Sequence, residues 1–286
     1  MSKTLITSRD PKGLQAVRFF EDAYNKIELD DESAQRINER GGEFQDGITK
    51  LIAELSVSNQ FANEEVKSSY GYLSGYKKPK GITAQTNCLR ELFPGIGYAD
   101  EKLVEQSFPA KAEGWFAIPR WEKFASTYGE AVQRVLDAVK KTRKGKFQNF
   151  REGQLGAEYL RQHVKTARVF QMIGDQQKNH DILVVPCQFG ILHRGKSVRR
   201  ACEVMSSSEF GLGAFAVGIM LLTHPERLQH YDDLWVDCAG DEYSSVAGGS
   251  FGFAPGFHFY VGKVKFAARW SDSAYAHDGS ASAFWQ

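Results

Sequence analysis

The sequence predicts an α+β fold in which a helical N-terminal part packs on a C-terminal mixed or antiparallel sheet with one buried apolar helix. Helical periodicity dominates the first 175 residues, whereas short apolar strand patterns dominate the last hundred. That segregation favours α+β over a regular alternation of strands and helices. The chain has 286 residues, of which 42% are hydrophobic and 25% charged, as in a globular protein of one or two domains. We expect a helical region at residues 1–75 and an α+β core at residues 76–286.

Helical spacing of apolar residues predicts a first helix at residues 13–27 and a second helical run at residues 33–55, with Ser33 as its N-cap. Gly41 and Gly42 should divide the second run, because each glycine costs about 1 kcal/mol relative to alanine inside a helix. Residues 68–82 contain several glycines and tyrosines, which predicts a loop. A short helix is expected at residues 83–92, before a Phe-Pro-Gly turn.

The middle of the chain begins with a predicted strand at residues 113–118, closed by Pro119. Proline suits the first turn of a helix, so we expect Pro119 to begin the next one. That helix has an apolar stripe from Trp121 to Val139 and ends in lysines and an arginine, whose charges suit the negative end of the helix dipole. A further helix is predicted at residues 157–173.

The sequence of the C-terminal third predicts mainly strands. Residues 181–186 form a continuous apolar run typical of a strand buried on both faces, and residues 234–238 have a similar pattern. Alternating apolar residues predict a hairpin at residues 257–270. Between these strands, residues 210–222 predict a buried apolar helix. Phe284 and Trp285 are expected to attach the C terminus to the rest of the protein.

The location of the protein is predicted from what the sequence lacks. The first thirteen residues have neither the apolar core nor the cleavage pattern of a secretory signal. The longest apolar run, at residues 211–222, is too short to cross the roughly 30 Å hydrocarbon core of a bilayer. We therefore expect a cytoplasmic protein without a membrane partner. Its four cysteines have no CxxC pattern and are expected to be free thiols.

A basic segment at residues 140–200 contains fourteen Lys or Arg and four acidic residues, a net charge of +10 in a chain whose total is +1. Aromatic residues are interleaved with these charges. Basic side chains displace counterions from phosphates, and exposed rings stack on unpaired bases for about 1–3 kcal/mol each. The alternative is that the charges are solvated helix faces, with Phe147 and Phe150 in the core. The predicted nucleic-acid-binding residues are Lys140, Lys141, Arg143, Lys144, Lys146 and Arg151.

A glycine-containing loop follows the predicted strand at residues 181–186. Residues 190–197 match the pattern G-x-x-x-x-G-K-S and precede a helix expected near Ser197, which is the context of a phosphate-binding loop. In this interpretation Lys196 reaches the β- and γ-phosphates, Ser197 binds Mg²⁺ and the loop amides surround the phosphates. The predicted phosphate-binding residues are Gly190, His193, Arg194, Gly195, Lys196, Ser197, Arg199 and Arg200.

A second motif agrees with the first. Asp237 ends an apolar strand, as in a Walker B element, and with Gly240 it fits the pattern D-x-x-G. At these two points the chain resembles the P-loop GTPases, and the resemblance implies Ser197 and Asp237 as Mg²⁺ ligands and Gly240 facing the γ-phosphate. The chain also departs from that family: the loop contains bulky residues, only 89 residues follow Ser197, and the N-K-x-D motif is absent. A chance match is the alternative.

Longer runs resemble a different group of proteins. EGWFAIPRW, NFREGQLG, HRGKSVRRA, EFGLGAFAVG and THPERL are similar to a bacterial family of hypothetical proteins, over most of residues 40–286. The resemblance implies no activity. Members of that family often have Arg at the position of Lys196, which counts against a nucleotide hydrolase.

Acidic residues cluster between Glu226 and Glu242, and paired carboxylates suit a metal site, an acid–base site or a solvated edge. Three functions thus remain open: a protein that binds nucleic acid or another phosphate-rich ligand, a P-loop-like nucleotide hydrolase that uses Mg²⁺, and a structural protein that forms a homo-oligomer through aromatic surfaces. The first is favoured, because the basic segment spans sixty residues and does not depend on one short motif.

Overall fold

The computed structural model describes residues 6–55 and 59–285. It confirms the α+β class, and contacts between residues divide the chain into two units, Met1–Val57 and Ser58–Gln286. The division falls earlier in the chain than the predicted boundary at residue 75. One reason is that the amides of Leu73 and Ser74 both donate hydrogen bonds to the carboxylate of Asp233, which joins the tyrosine-rich loop to the C-terminal part.

The smaller unit contains three helices among its described residues: α1 (Pro11–Asn25), α2 (Asp31–Glu39) and α3 (Gly41–Leu55). The predicted break at the glycine pair is confirmed, since α2 ends before Arg40 and α3 begins at Gly41. The predicted N-cap is wrong. Asp30 caps α2 by accepting the amide hydrogen bond of Ser33 at 2.7 Å, so Ser33 lies inside the first turn.

The larger unit begins with helix α4 (Ile82–Leu92), strand β1 (Gly114–Pro119) and helix α5 (Tyr128–Thr142). The expectation that Pro119 begins a helix is wrong, because Pro119 pairs with Ile182 as the last residue of β1. Instead, α5 begins after Thr127, whose hydroxyl accepts the amide of Glu130 while the Glu130 carboxylate accepts the amide of Thr127.

The remaining elements of this unit follow in chain order. They are β2 (Phe147–Asn149), β3 (Leu160–Gln162), α6 (Val164–Gln176), β4 (Ile182–Gln188), α7 (Val198–Val204), β5 (Glu209–Gly211), α8 (Ala214–Thr223), β6 (Trp235–Asp237), β7 (Asp241–Tyr243), β8 (Phe253–Tyr260), β9 (Lys263–Trp270), β10 (Asp278–Ser280) and β11 (Ser282–Phe284). The helix predicted at residues 157–173 begins later than expected, because β3 pairs with β7.

The strands form two sheets. The four-stranded sheet is antiparallel, in the order β1-β4-β11-β5. The seven-stranded sheet is mixed: β10-β6-β8-β7-β3 follow one another, and β9 lies between β8 and β2. Its parallel pairs are β10 with β6 and β2 with β9. The C terminus is attached as expected, since β11 lies between β4 and β5 and the Trp285 amide donates to the Ser208 carbonyl at 2.9 Å.

The predicted buried helix is α8, and every one of its residues is buried. It packs against α5 and β1, and Gly218 allows a close approach to α5, because a Cβ atom there would lie 2.5 Å from Val135 Cγ1. β4 is likewise buried along its whole length. Within the described residues, no helix combines the length and apolarity required to cross a membrane. All four cysteines are free.

Candidate functional site

The hairpin of β8 and β9 presents one face to the core and one face away from it. Phe257 pairs with Phe266 and packs ring against ring in the core, 5.0 Å between centroids. Side chains alternate along a strand, so the neighbouring pairs His258–Lys265 and Tyr260–Lys263 lie on the opposite face. We call this the outer face. The register extends it to β6 and β10, through Trp235, Asp237, Asp278 and Ser280.

One part of the outer face combines a lysine with exposed rings. Lys265 Nζ lies 4.7 Å from the ring centroid of Tyr260 and 5.3 Å from that of Phe150. Tyr231 continues the group, with its centroid 5.6 Å from that of Tyr260. The three rings are 43–52% exposed. We call Phe150, Lys265, Tyr260 and Tyr231 the aromatic–lysine row. Such rings can stack on bases while the ammonium group attracts phosphate.

The basic residues predicted from the sequence lie in two kinds of environment. Arg143 donates to the Pro225 carbonyl at 2.8 Å, and Arg151 donates to the Ala268 carbonyl at 3.4 Å, so both are half-buried and hold loops in place. The other predicted side chains are exposed: Lys140, Lys141, Lys144 and Lys146.

Lys146 is the predicted residue that adjoins the outer face. Its carbonyl accepts the amide of Val264 at 3.1 Å, because β2 pairs in parallel with β9. This places Lys146 next to Lys263 and Lys265, which the sequence did not single out. Their alternation with apolar residues in the predicted hairpin indicated that both lysines lie on its polar face. It could not show that they adjoin Lys146, because β2 lies more than a hundred residues earlier in the chain.

A second part of the outer face contains two buried carboxyl groups. Asp237 and Asp278 are only 7% and 3% exposed. Arg269 contacts both oxygens of Asp278, at 2.9 and 3.1 Å, and its Nη2 lies 3.8 Å from Asp237. Within residues 6–55 and 59–285, no hydrogen bond to the Asp237 carboxyl group is found. Asp237 is therefore a buried acid with a cation nearby and no hydrogen-bond partner for its carboxyl group among the described residues.

Rings surround these carboxyl groups. The centroid of Trp235 lies 4.6 Å from that of His258 and 4.0 Å from that of His277, and Arg269 Cζ lies 4.8 Å from the Trp235 ring. Within the part of the chain that the structure describes, Nδ1 of His258 and Oγ of Ser280 are buried without a hydrogen-bond partner. Buried polar atoms in folded proteins are usually satisfied by protein, water or ligand. We call Trp235, Asp237, His258, Arg269, His277 and Asp278 the carboxyl cluster.

The electrostatics of the carboxyl cluster favour a shared proton. Burial raises the pKa of Asp237, and the charge of Asp278 raises it further, while Arg269 opposes the rise. Burial also raises the pKa of Asp278, against the effect of Arg269. Two adjacent buried carboxyls resist double ionisation, and the closer contact of Arg269 with Asp278 favours ionisation of Asp278 over that of Asp237. Burial, and then the charge of Arg269, lower the pKa values of His258, to about 4, and of His277, so both rings are neutral at pH 7.

The predicted phosphate loop at residues 190–197 has the expected flanks, β4 before it and α7 after it, with Ser197 as the N-cap of α7. Its amides are engaged within the protein. Those of Gly190 and Leu192 donate to Gln188 Oε1, that of Gly195 to the Asp278 carbonyl and that of Ser197 to the Glu64 carbonyl. A phosphate loop directs such amides at its ligand. The loop as folded does not have that geometry.

The side chains of this loop and of the start of α7 are paired with carboxylates or carbonyls. At the start of α7, Arg199 and the Ser197 hydroxyl bind Glu64, and Arg200 binds Glu65 and Glu203. Lys196 Nζ lies 3.7 Å from Glu65. In the loop, His193 Nε2 lies 2.7 Å from Glu209, and Arg194 donates to the Tyr70 carbonyl. The basic groups predicted to bind phosphate thus hold the segment around Glu64 and Glu65 against α7.

The two predicted Mg²⁺ ligands, Ser197 and Asp237, have different partners in the structure. The P-loop Ser and the Walker B Asp of nucleotide hydrolases hold one ion between them. Here the Ser197 hydroxyl donates to the Glu64 carboxylate at 2.7 Å, whereas Asp237 lies beside Asp278 and Arg269 in the seven-stranded sheet. Gly240 packs on backbone, since a Cβ atom there would lie 2.4 Å from the Gly211 carbonyl oxygen. The resemblance to GTPases is one of short motifs and not of fold.

This arrangement predicts how Lys196→Ala behaves. Because Lys196 makes one half-exposed ion pair, its loss should change the free energy of unfolding by less than about 1 kcal/mol. We also expect GTP or ATP with Mg²⁺ to leave the melting temperatures of wild type and variant unchanged, whereas a bound nucleotide would raise them. A nucleotide-dependent rise in the wild type that Lys196→Ala abolishes would restore the phosphate-loop hypothesis.

The carboxyl cluster was only partly foreseen from the sequence. Asp237 was singled out, but for a different role. Arg269 lies in the predicted hairpin, and His277 and Asp278 lie in a segment for which no element was predicted. Asp237 and Asp278 come close only because β10 pairs in parallel with β6, and this pairing cannot be predicted from a local sequence pattern. The chain as a whole matches no family model, no curated protein and no solved structure.

Proposed function

We propose that the protein binds single-stranded nucleic acid across the outer face. The observation that carries this proposal is the aromatic–lysine row, in which Lys265 lies over two exposed rings on the surface of a sheet. A sheet surface with rings offers stacking platforms for unpaired bases, whereas the bases of a duplex remain stacked on one another. Lys146 and Lys263 lie alongside and supply further positive charge for the phosphates.

The carboxyl cluster does not oppose this role by charge. Burial and mutual repulsion disfavour ionisation of both acids at once, and Arg269 offsets negative charge on the pair. The outer face therefore has a net positive charge from its lysines. The remaining exposed lysines of the basic segment, at the end of α5 and in the turn before β2, add to the long-range attraction for a polyanion.

The proposal is tested by fluorescence anisotropy with a labelled single-stranded RNA of about twelve nucleotides, over a series of salt concentrations. We expect the double variant Lys263→Ala/Lys265→Ala to bind more weakly and to reduce the salt slope by about 1.4, because each phosphate contact on a single strand contributes about 0.7. Tyr260→Ala should lower the binding free energy by about 1–3 kcal/mol through lost stacking.

A matched control uses two exposed lysines that lie outside the outer face. Lys111→Ala/Lys178→Ala removes the same charge, and Lys178 belongs to the basic segment, so this variant should retain the salt slope of the wild type. Equal losses in both double variants would mean that net charge and not the outer face determines binding. Absent binding, or binding insensitive to salt, would reject the proposal. Self-association stays a prediction from the sequence.

A further inference from the structure

We propose that the carboxyl cluster cleaves RNA bound on the outer face, with Asp237 as general acid, His277 as general base and Arg269 as the cation that faces the phosphate. The inference rests on the proposed function and gives it a chemical reaction. Its substrate class is a single-stranded RNA with a 2′-hydroxyl group next to the phosphate at the cluster. All proton transfers would be made by protein side chains.

The cluster is continuous with the aromatic–lysine row. His258, which packs against Trp235, is paired with Lys265 in the β8–β9 register. Trp235 Nε1 donates to the carbonyl of Tyr231 at 3.4 Å. A strand whose bases stack on the exposed rings would therefore carry its phosphates past Arg269 and the carboxyl groups.

The surroundings of Asp237 suit a proton donor. Its carboxyl group is buried and accepts no hydrogen bond from the described part of the chain, so its proton is not committed to another protein group. Gly256 is its neighbour on β8, and a Cβ atom there would lie 3.2 Å from Asp237 Oδ1. Gly256 pairs in turn with Ala267 on β9, so two small residues follow Asp237 across the sheet. A raised pKa keeps a fraction of the acid protonated near neutral pH.

His277 is placed to accept a proton. Its ring packs against Trp235 and stacks on Tyr275, with centroids 5.6 Å apart and planes 20° apart, and its side chain is 30% exposed. Asp278 Oδ1 lies 3.5 Å from Nε2, which favours a proton on that nitrogen and leaves Nδ1 as the acceptor. The lowered pKa of His277, caused by burial and then by Arg269, keeps the ring neutral and therefore basic.

The reaction balances without another reactant. Nδ1 of His277 takes the proton of the 2′-hydroxyl, and the 2′-oxygen forms a bond to the adjacent phosphorus. The bond from phosphorus to the 5′-oxygen breaks, and its electron pair goes to that oxygen, which takes the proton of Asp237. Arg269 offsets the negative charge on the phosphoryl oxygens. The products are a 2′,3′-cyclic phosphate and a 5′-hydroxyl, and solvent exchange restores both protonation states.

The pH dependence should be bell-shaped, because two groups must be in opposite states. The charges of Asp278 on β10, Arg269 on β9 and His277 act on Asp237, and Tyr70 and Tyr275 pack against the ring of His277. Rising pH removes the proton of Asp237 and lowers the rate, and falling pH protonates His277 and also lowers the rate. Asp237→Asn should abolish the alkaline limb, and His277→Gln should abolish the acidic limb.

The test incubates the full chain with a labelled single-stranded RNA in EDTA and identifies the products by mass spectrometry. We expect cyclic-phosphate products from RNA and none from the same sequence made with 2′-deoxyribose, although both oligonucleotides bind. Asp237→Asn should lower the cleavage rate at least 100-fold and change RNA affinity less than twofold. Asp272→Asn, a change of an exposed acid outside the cluster, should retain full activity.

The outcomes separate this inference from the proposed function. RNA that is bound and remains intact would overturn the acid–base site and leave the binding function standing. Absent RNA binding would reject both. Equal cleavage by the wild type and Asp237→Asn would identify a contaminating nuclease and overturn the inference. Thermal melting checks whether Asp237→Asn folds. If it does not, His277→Gln is the test variant, and an unchanged cleavage rate and pH profile in it would overturn the catalytic role of the carboxyl cluster.

Discussion

Arg227→Ala is expected to lower the free energy of unfolding of the larger unit by about 4–8 kcal/mol. Arg227 is fully buried, and its guanidinium donates to the carbonyls of Leu234 at 2.8 Å and Phe189 at 3.1 Å. Its Cζ lies 3.8 Å from the ring centroid of Tyr72. Truncation leaves two buried carbonyls without donors, at about 1–3 kcal/mol each, and removes a desolvated cation–π contact of about 2 kcal/mol.

Urea denaturation followed by tryptophan fluorescence measures this loss, because all five tryptophans lie in the larger unit. Arg90→Ala is the matched control. Arg90 also lies over a ring, 4.1 Å from the centroid of Tyr98, but it is exposed, so its removal should cost only about 0.5–1 kcal/mol. Similar losses in the two variants would contradict the importance of the buried carbonyl contacts.

Gly190→Ala is expected to lower the free energy of unfolding by about 4 kcal/mol. Gly190 has φ +120°, and a Cβ atom there would lie 2.6 Å from the carbonyl oxygen of Gly279. Unfavourable backbone conformation costs about 1–3 kcal/mol, and a steric conflict in a packed region costs another 1–3 kcal/mol. The backbone oxygen belongs to β10, so relief of the conflict would have to move the strand that carries Asp278.

Gly145→Ala separates the two contributions. Gly145 also has a positive φ, +79°, but no atom of the described residues lies within 4 Å of its Cβ position, so only the conformational cost of about 1–2 kcal/mol remains. The same urea titrations compare both variants. Equal stability of Gly190→Ala and wild type would contradict both the conformational and the steric contribution at this position.

Several elements could be predicted from the sequence because their patterns are local. The continuous apolar residues of α8 and β4 predicted burial on all sides, and the alternation in β8 and β9 predicted a hairpin. The start of α5 could not be located in this way. Pro119 is compatible with both a strand end and a first helical turn, and its pairing with Ile182 decided between them. β3 was missed because a three-residue strand has too short a pattern and depends on β7.

The candidate site shows the same division between sequence and fold. The sequence by itself located the basic segment and Asp237. Only the tertiary structure decided which of those groups can meet a ligand, because that depends on partners distant in the chain. Glu64 and Glu65 engage Ser197, Lys196 and the arginines of α7, whereas the pairing of β2 with β9 leaves Lys146 beside the rings. A residue type sets what a side chain can bind, and the packed neighbours determine whether it is still available to do so.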